Sequence, residues 1–330
     1  MNKTSKRTGT PAHITKPRTT RKTRTGARLA VTPRTRSASA APAAKNDDAA
    51  AKAVRGAIGD LAKAGWSVEG ADRAYMKKIK PAIDFFLDRY FRVENHGWNR
   101  IPDGPCLFIG IHSGTWLTMD AWSLVFSWWR KFGGKRVLHG TAHDVLMAMP
   151  GIGPFFRKVG VIPASRETVT AALAAGNSVV VWPGGEIDAM RSWKKRHEVH
   201  FGGRRGFVKQ AILSGVPIVP VATVGGTETV FVLSEGRWLA KLLGFKRFLR
   251  ADTAPIVAGL PFGIWPEVLP THIPLPSKIT NEFLEPIHLD KNPARAKDDA
   301  YVNEIYALVQ RRIGEGVARL AAQRRLPIVG

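Results

Sequence analysis

The sequence predicts an α/β protein with a mixed, largely parallel sheet flanked by helices and preceded by an N-terminal helical element. Short apolar runs rich in Val and Ile and bounded by Gly or Pro are typical of strands buried on both faces. Helical segments separate several of these runs, and strand–helix alternation favours a parallel sheet. The apolar runs lie at residues 105–111, 158–163, 178–183 and 216–224.

Three segments carry the helical pattern of this domain. "RETVTAALAAG" (166–176) ends in a glycine, which is a helix stop signal. "GFVKQAILSG" (206–215) is similar, and residues 298–325 form a long amphipathic segment. We expect this last helix to bury one apolar face, composed of Val302, Ile305, Val309, Ile313, Val317 and Leu320.

The chain divides into three regions. Residues 1–52 predict a disordered basic tail, residues 53–100 an N-terminal helical element, and residues 101–330 the α/β domain. Within the helical element, "DLAKAGW" and "MKKIKPAIDFFLDRYFRVE" carry apolar residues at helical spacing. The proline in the second segment predicts a break in that helix.

The net charge is +24, and its distribution indicates an anionic partner. Residues 1–46 hold 12 Lys and Arg and no acid, and residues 47–330 hold 38 basic against 26 acidic side chains. An anionic membrane surface is the expected partner of residues 47–330, and nucleic acid is a possible partner of the basic tail only. No apolar run is long enough to span a membrane. We expect a cytoplasmic, peripherally attached protein, although the Arg/Ser/Thr/Ala-rich tail also resembles an organellar targeting segment.

The cysteine and histidine content argues against an internal disulfide and a metal site. Cys106 is the single cysteine, so no internal disulfide forms, and its apolar setting indicates a packing role. His139 and His143 are four residues apart, but the sequence has no HExxH motif and no convincing third ligand, so we expect no metal. The absence of GxSxG argues against a serine hydrolase of the α/β type.

The stretch "FIGIHSGTWLTMD" (108–120) is the strongest candidate for a catalytic site. His112 follows the predicted strand 105–111, and ligand sites of α/β sheets gather at the carboxyl ends of strands. Ser113 and Gly114 can start the next helix, whose nearly apolar stretch from Trp116 to Trp129 carries Asp120 on a narrow polar stripe with Ser123 and Ser127.

A buried carboxylate requires a partner, and His112 is the nearest one in sequence. A histidine held by a carboxylate can act as a general base, because the carboxylate fixes the tautomer and stabilises the imidazolium. In the alternative interpretation, His112 only satisfies a strand end and Asp120 bonds backbone or solvent.

Four further segments follow in order: "GVIPASRET" (160–168), "VWPGGEIDAMRSW" (181–193), "GGRRGFVKQAILSGVPIVPVATVGG" (202–226) and "IPLPSKITNEFLEPI" (273–287). Together with the opening stretch, the series resembles the glycerolipid acyltransferase family, which comprises PlsC-like lysophospholipid and diacylglycerol acyltransferase-like proteins. The resemblance covers roughly residues 90–290. It implies an α/β domain that transfers a fatty acyl group from a thioester to a hydroxyl, with His112 as base and Asp120 orienting it.

Two departures refine the resemblance. The commonest family pattern has four residues between the histidine and the aspartate, whereas this chain has seven and resembles a longer "HSGG…TxD" variant. The usual "FPEG" is here "WPGG", as in the branch related to type-2 diacylglycerol acyltransferases, whose acceptors can be uncharged. Glu186 or Asp188 would then replace the missing carboxylate. The substrate-binding residues predicted on this basis are Ser113, Gly114, Arg166, Pro183, Gly184, Gly185, Glu186 and Asp188.

Basic and glycine-rich positions suggest how substrates bind. Arg166 is the first residue of a predicted helix. Its guanidinium and the helix N-terminus could together bind the phosphate of an acceptor or of coenzyme A. In the alternative interpretation, Arg166 is an ordinary surface arginine. The glycine turn 183–185 lets backbone amides approach a ligand, unless it is an ordinary tight turn. The loop that follows is basic, and it either contacts coenzyme A phosphates or lipid headgroups or is simply solvated. Its basic residues are Arg191, Lys194, Lys195, Arg204 and Arg205.

Two segments suggest membrane contact. Residues 236–250 predict a basic amphipathic helix that either lies in a headgroup layer or packs on the sheet. Residues 256–270 are apolar and interrupted by Pro and Gly, so they frame an acyl entrance or form a packed loop. The apolar face predicted for the helix is Trp238, Leu242, Phe245 and Leu249.

The function that the sequence favours is an acyl-CoA-dependent O-acyltransferase acting on a lipid hydroxyl of a lysophospholipid, glycerolipid or long-chain alcohol. Acyl-CoA is a co-substrate, and no cofactor is expected. The alternatives are a basic membrane- or nucleic-acid-binding protein without catalysis and an acyl-thioester hydrolase. Acyl length, the acceptor, oligomeric state and the choice between acyl-CoA and acyl carrier protein are left open.

Overall fold

The computed structural model describes residues 52, 56–245 and 252–330. The tail predicted over residues 1–52 therefore lies outside the described residues except for its last position. The strands of the main sheet are β1 (Glu94–His96), β2 (Leu107–Ile109), β3 (Leu138–Ala142), β4 (Ile162–Pro163), β5 (Ser178–Val181), β6 (Ile218–Val224) and β10 (Thr280–Phe283).

The seven strands form one sheet in the order β1-β10-β6-β2-β5-β3-β4. β6, β2, β5, β3 and β4 run parallel to one another, whereas β10 is antiparallel to β6 and carries β1 parallel on its outer side. The predicted mixed, largely parallel sheet is confirmed. The four predicted apolar runs supply β2, β4, β5 and β6.

Helices cover both faces of this sheet. The α-helices are α1 (56–63), α2 (Arg73–Asp84), α3 (Met119–Phe132), α4 (Asp144–Ala148), α5 (Ile152–Lys158), α6 (Arg166–Ala174), α7 (Glu186–Ala189), α8 (Gly206–Ser214), α9 (Arg237–Leu242) and α10 (Asp299–Gln323).

The alternation of side chains along β2 explains the layers. Leu107 and Ile109 point into a core shared with α6, α8 and α10, while Phe108 points into a second core beneath α3. All six apolar residues predicted for the C-terminal helix are buried in the first core. α10 can approach β6 closely because a Cβ at Gly316 would lie 2.7 Å from Ala222.

The N-terminal element differs from its prediction in two ways. α2 runs through Pro81 and is not broken there, and a π-helical segment follows at Phe85–Tyr90. Residues 94–96, predicted to be part of the helical element, instead form edge strand β1, because β10 supplies their hydrogen-bonding partner. Nothing in "ENH" itself indicates a strand, since the segment has no apolar residue.

A second, three-stranded antiparallel sheet lies after β6. Its strands β7 (Phe231–Ser234), β8 (Ile256–Gly259) and β9 (Gly263–Pro266) are ordered β7-β8-β9. We call the described residues between 230 and 275 the small lobe. The first part of the helix predicted over 236–250 appears there as α9, which exposes Trp238 and Leu242. Phe245, beyond the end of α9, is buried, and Leu249 lies outside the described residues.

Candidate active site

The loop that follows β2 carries the predicted histidine, and we call residues 112–118 the His112 loop. It contains a 3₁₀ turn at Thr115–Leu117 and left-handed backbone at Gly114, Thr115 and Thr118. Helix α3 therefore begins at Met119, later than the start predicted at Ser113 and Gly114. Positive φ at threonine is rare and concentrates at functional sites. The extra turn absorbs the long His–Asp spacing and places Asp120 in the first turn of α3.

His112 and Asp120 form a hydrogen-bonded pair. His112 Nδ1 lies 3.3 Å from Asp120 Oδ2, and the other carboxylate oxygen accepts hydrogen bonds from Ser113 N (2.9 Å) and Ser113 Oγ (3.0 Å). The Asp120 side chain is 1% exposed and that of His112 16%. A buried carboxylate facing Nδ1 favours the tautomer in which Nδ1 carries the proton and Nε2 is free to accept one.

Trp182 fixes the imidazole from its other side. The rings of His112 and Trp182 stack with centroids 4.6 Å apart and an interplanar angle of 9°. Gly110 makes room for the indole, because a Cβ there would lie 2.7 Å from Trp182 Nε1. Trp182 stands in the quoted "VWPGG" segment, yet its contact with His112 could not be predicted, since it depends on the pairing of β2 with β5.

The polar stripe of α3 faces the antiparallel side of the sheet. Ser123 Oγ donates to Asp120 O (2.7 Å) and accepts from Asn281 Nδ2 (3.1 Å), and Asn95 Nδ2 donates to Ser127 Oγ (3.0 Å). These bonds satisfy polar groups that would otherwise be buried at a cost. They also fix the first turns of α3, which hold Asp120.

A cavity of about 460 Å³ opens beside His112. Its size lies within the range of ordinary small-molecule sites. Of the predicted site residues, five line the cavity and five do not. The lining ones are His112, Arg166, Pro183, Gly185 and Glu186; the others are Asp120, Ser113, Gly114, Gly184 and Asp188. The apolar part of the wall includes Trp122, Val125, Phe156, Val161 and Val169.

Asp188 does not face the cavity but supports the His112 loop. Its carboxylate is buried against Arg191, whose Nη1 donates to Asp188 Oδ1 (2.9 Å) and to the backbone oxygen of His112 (2.8 Å). Burial raises the pKa of Asp188, opposed by the Arg191 guanidinium and by a hydrogen bond from His200 N. A Cβ at Gly184 would lie 2.6 Å from this carboxylate, so glycine is required by close packing.

Two arginines line the cavity, and only one of them is engaged. Arg204 donates to the backbone oxygens of Pro183 (3.2 Å) and Gly184 (3.0 Å) and to Glu186 Oε1 (2.8 Å). Arg166 is exposed at the start of α6, and its guanidinium has no hydrogen bond or ion pair within the described part of the chain. Arg166 is thus the cavity cation available to an anion.

The rest of the predicted basic loop is mostly tied to the protein. Arg191 is buried as described, Lys195 pairs with Glu235, and Arg205 donates to Asn303. The i, i+3 spacing of Asp188 and Arg191 on a short helical turn was the available signal for their pairing.

A second histidine–carboxylate pair lies behind the His112 loop and was not predicted. His272 Nδ1 lies 2.5 Å from Glu267 Oε1, and both side chains are fully buried. Thr115 Oγ1 lies 3.4 Å from the same nitrogen, and Trp116 Nε1 donates to the backbone oxygen of Glu267 (3.1 Å). His272 Nε2 and Glu267 Oε2 have no hydrogen-bond partner among the described residues.

His139 and His143, whose spacing of four would suit a metal only on a helix, do not share one. His139 is in strand β3, which pairs with β5 and β4, and His143 caps α4. His139 Nδ1 lies 2.9 Å from Gly160 O, and His139 Nε2 lies 3.2 Å from Asn177 Nδ2. No cluster of three metal-ligating side chains occurs in the described ranges.

Comparison with known proteins finds acyltransferases among the relatives of this chain. The family model named Acyltransferase matches residues 92–224. An uncharacterized protein of Mycobacterium tuberculosis is 31% identical over 249 residues, which are 75% of this chain and 66% of that protein. The chicken "DGAT1/2-independent enzyme synthesizing storage lipids" is 28% identical over 199 residues, or 60% of this chain and 53% of the relative.

Human diacylglycerol O-acyltransferase 2 is 30% identical over 114 residues, which are 33% of this chain and 29% of the human protein. The fold is an α/β sheet domain, and the His–Asp pair lies after the carboxyl end of β2. The family match and these relatives bear out the resemblance to acyltransferases, and to their diacylglycerol acyltransferase-like branch, that the sequence predicts. The chain spans just under two thirds of the mycobacterial relative and about half of the chicken relative.

Proposed function

We propose that the protein transfers a fatty acyl group from acyl-CoA to the hydroxyl of a lipid acceptor, with His112 as general base. The observation that carries the proposal is the imidazole of His112, held by buried Asp120 and opening onto an apolar cavity. A base fixed in this way needs no nucleophilic side chain, because the acceptor hydroxyl itself attacks the thioester.

The proposed reaction has one proton relay. His112 Nε2 takes the hydroxyl proton as the acceptor oxygen attacks the thioester carbonyl carbon. The tetrahedral intermediate then collapses, the C–S bond breaks, and the imidazolium returns the proton to the leaving coenzyme A thiolate. Asp120 stabilises the transient imidazolium, and Trp182 supports it by stacking.

The two kinds of cavity wall suggest how the substrates divide the space. The apolar wall between α3 and α6 suits an acyl chain, and Arg166 suits a phosphate of coenzyme A or of a lysophospholipid. The absence of a further unpaired cation among the described cavity residues favours an uncharged acceptor hydroxyl, such as that of a glyceride or long-chain alcohol. In this arrangement Glu186 and Arg204 shape the turn and do not bind phosphate.

Attachment to an anionic membrane surface is part of the proposal, since the acceptor is a lipid. In the described ranges, no helix is both long enough and apolar enough to cross a bilayer. The excess of basic side chains outside the tail supports peripheral contact.

The test uses the purified full chain, labelled palmitoyl-CoA, and a panel of lysophosphatidic acid, mono- and diacylglycerol and hexadecanol. We expect labelled ester and free coenzyme A in equal amounts. His112→Ala is expected to lower kcat/KM by about 10³-fold. The matched control is His96→Ala, at an exposed histidine of edge strand β1.

Three results bear on the alternatives. Free fatty acid in place of ester would assign a thioester hydrolase. Full transfer by folded His112→Ala protein would remove the proposed base. Transfer from acyl carrier protein thioesters but not from acyl-CoA would replace the donor and keep the mechanism.

A further inference from the structure

The small lobe exposes an unusual number of large apolar side chains. Nine of the fourteen large hydrophobic residues that are exposed in the described ranges lie between 233 and 273. Scattered single exposures are normal on a protein surface, but a contiguous group marks a contact site. The nine are Leu233, Trp238, Leu242, Leu243, Leu260, Phe262, Ile264, Leu269 and Ile273.

Four of these residues are joined by the strand register, and we call them the hairpin patch: Leu260, Phe262, Ile264 and Ile273. Leu260 forms a bridge with Ile273, and Phe262 lies in the turn that leads to Ile264 in β9. They are between 51% and 69% exposed. The opposite face of the small sheet is packed, through Val232, Val257 and Trp265.

The hairpin patch lacks the charges with which edge strands are usually protected. Between residues 256 and 277 the only ionisable side chains are Glu267 and His272, and both are fully buried in their mutual pair. A long apolar edge without Lys, Glu or Asp invites association in water. Some partner must therefore cover it.

Charge complementarity identifies the partner as a bilayer with anionic lipids. In the sequence, residues 236–251 contain five basic residues and no acidic one, and α9, within the described part of this segment, exposes Trp238 and Leu242 one helical turn apart. Apolar and aromatic groups beside Lys and Arg are the signature of an interfacial element. We propose that the hairpin patch inserts into the headgroup–acyl boundary of an anionic membrane.

The location of the patch supports this assignment, and this step rests on the proposed function. The loop that follows β9 contacts the His112 loop through the bonds of Glu267 and His272 to Trp116 and Thr115. Trp116 and Thr115 also line the cavity. None of residues 256–270 lines it, so the predicted acyl entrance is not formed by that segment directly. Docking by the patch would bring the cavity close to the lipids that it uses.

Site-specific labelling tests the proposal on the full chain. Cys106 is buried, and burial raises the pKa of its thiol to about 11, so a second, exposed cysteine will react selectively. We would place an environment-sensitive fluorophore at Phe262→Cys or Ile264→Cys and add vesicles of phosphatidylcholine with 30% phosphatidylglycerol. The matched control is Leu213→Cys, which is 62% exposed on α8 outside the lobe.

We expect a blue shift at 262 and 264 and none at 213. In sedimentation at 0.5 M salt, which weakens binding by the basic tail, Phe262→Ser/Ile264→Ser should bind vesicles at least about tenfold less, while Leu213→Ser should bind normally. Vesicle binding without a shift at 262 or 264 would assign contact to the tail and overturn the proposal. A dimer that the double variant dissociates would overturn it in favour of a second copy.

These outcomes are independent of the chemistry. No acyl-CoA is present in the vesicle experiments, so a chain that binds vesicles through the patch but forms no ester would contradict only the proposed function. Conversely, transfer to a soluble short-chain alcohol without insertion of the patch would contradict only the docking surface.

Discussion

Two histidine–carboxylate pairs meet at the His112 loop, and they differ chiefly in access to the cavity. His112 and Asp120 form the first pair, with the imidazole on the wall of a cavity. His272 and Glu267 form the second, with both side chains fully buried. The second pair contacts the loop through Thr115, while the first is part of that loop or follows directly from it.

The same kind of pair, a histidine with a carboxylate, therefore has two different roles in this molecule. Both pairs could polarise an imidazole, but only His112 can meet a substrate. His272 and Glu267 hold Trp116 and Thr115 against the small lobe, so their role is to position the loop. The role of each pair depends on whether it is open to the cavity or buried. Variants of the open pair should therefore change the reaction rate, and variants of the buried pair should change the stability.

The largest effect is expected at the open pair. Asp120→Asn should lower kcat by about 10²–10⁴-fold, because an amide neither stabilises the imidazolium nor enforces the tautomer. The hydrogen bonds from Ser113 can persist, so the melting temperature should change little. Steady-state kinetics and thermal unfolding measure the two effects, with exposed Asp103→Asn as control. A folded Asp120→Asn protein of normal kcat would contradict the assignment.

At the buried pair of His272 and Glu267, we expect a large effect on stability. His272→Ala leaves Glu267 buried without its partner, which costs about 3–5 kcal/mol in the free energy of unfolding. Urea denaturation measures this loss, with exposed His288→Ala as control. The double variant Glu267→Met/His272→Phe should regain much of the stability, since an apolar pair carries no desolvation cost. A His272→Ala protein as stable as the parent would show that the pair is not structural.

The difference in predictability between the pairs has a physical cause. His112 and Asp120 stand in one contiguous stretch, between a clear strand and a polar stripe on an apolar helix, so their pairing could be predicted locally. Glu267 and His272 are also close in sequence, but nothing in their segment indicates burial. They are buried because Trp116 and Thr115 pack on them, a contact about 150 residues away in the chain.

The same reason accounts for the elements that were missed. β1 and β10 have the polar sequences "ENH" and "TNEF", and β3 is "LHGTA", so none shows an apolar run. Each forms because a neighbouring strand supplies its hydrogen bonds. By contrast, β2, β5, β6 and the buried face of α10 follow directly from hydrophobic pattern, and they constitute the core that positions His112.

A smaller effect should follow from the ring that stacks on His112. Trp182→Leu removes a stacking contact of about 0.5–1.5 kcal/mol, which corresponds to roughly a two- to tenfold lower kcat. Trp182→Phe keeps an aromatic face and should retain most of the rate. KM for the acceptor should stay within about twofold if Trp182 acts only on the imidazole. Equal kinetics for the Leu and Phe variants would argue against a stacking role.

The smallest effect concerns a third histidine, His139, which is buried without a carboxylate partner. It shows how a buried imidazole changes the pH dependence of stability when no carboxylate is beside it. Burial lowers the pKa of His139 below its usual 6.5, and hydrogen bonds to the backbone of Gly160 and Val68 oppose this shift only in part. The unfolded chain therefore binds the proton first as the pH falls. Stability should drop below pH 6.5 by at most about 1.4 kcal/mol per pH unit. His139→Gln should reduce this slope in urea unfolding between pH 7 and 5, whereas His96→Gln, at an exposed site, should leave it intact. An unchanged slope in His139→Gln would mean that other groups govern the acid response.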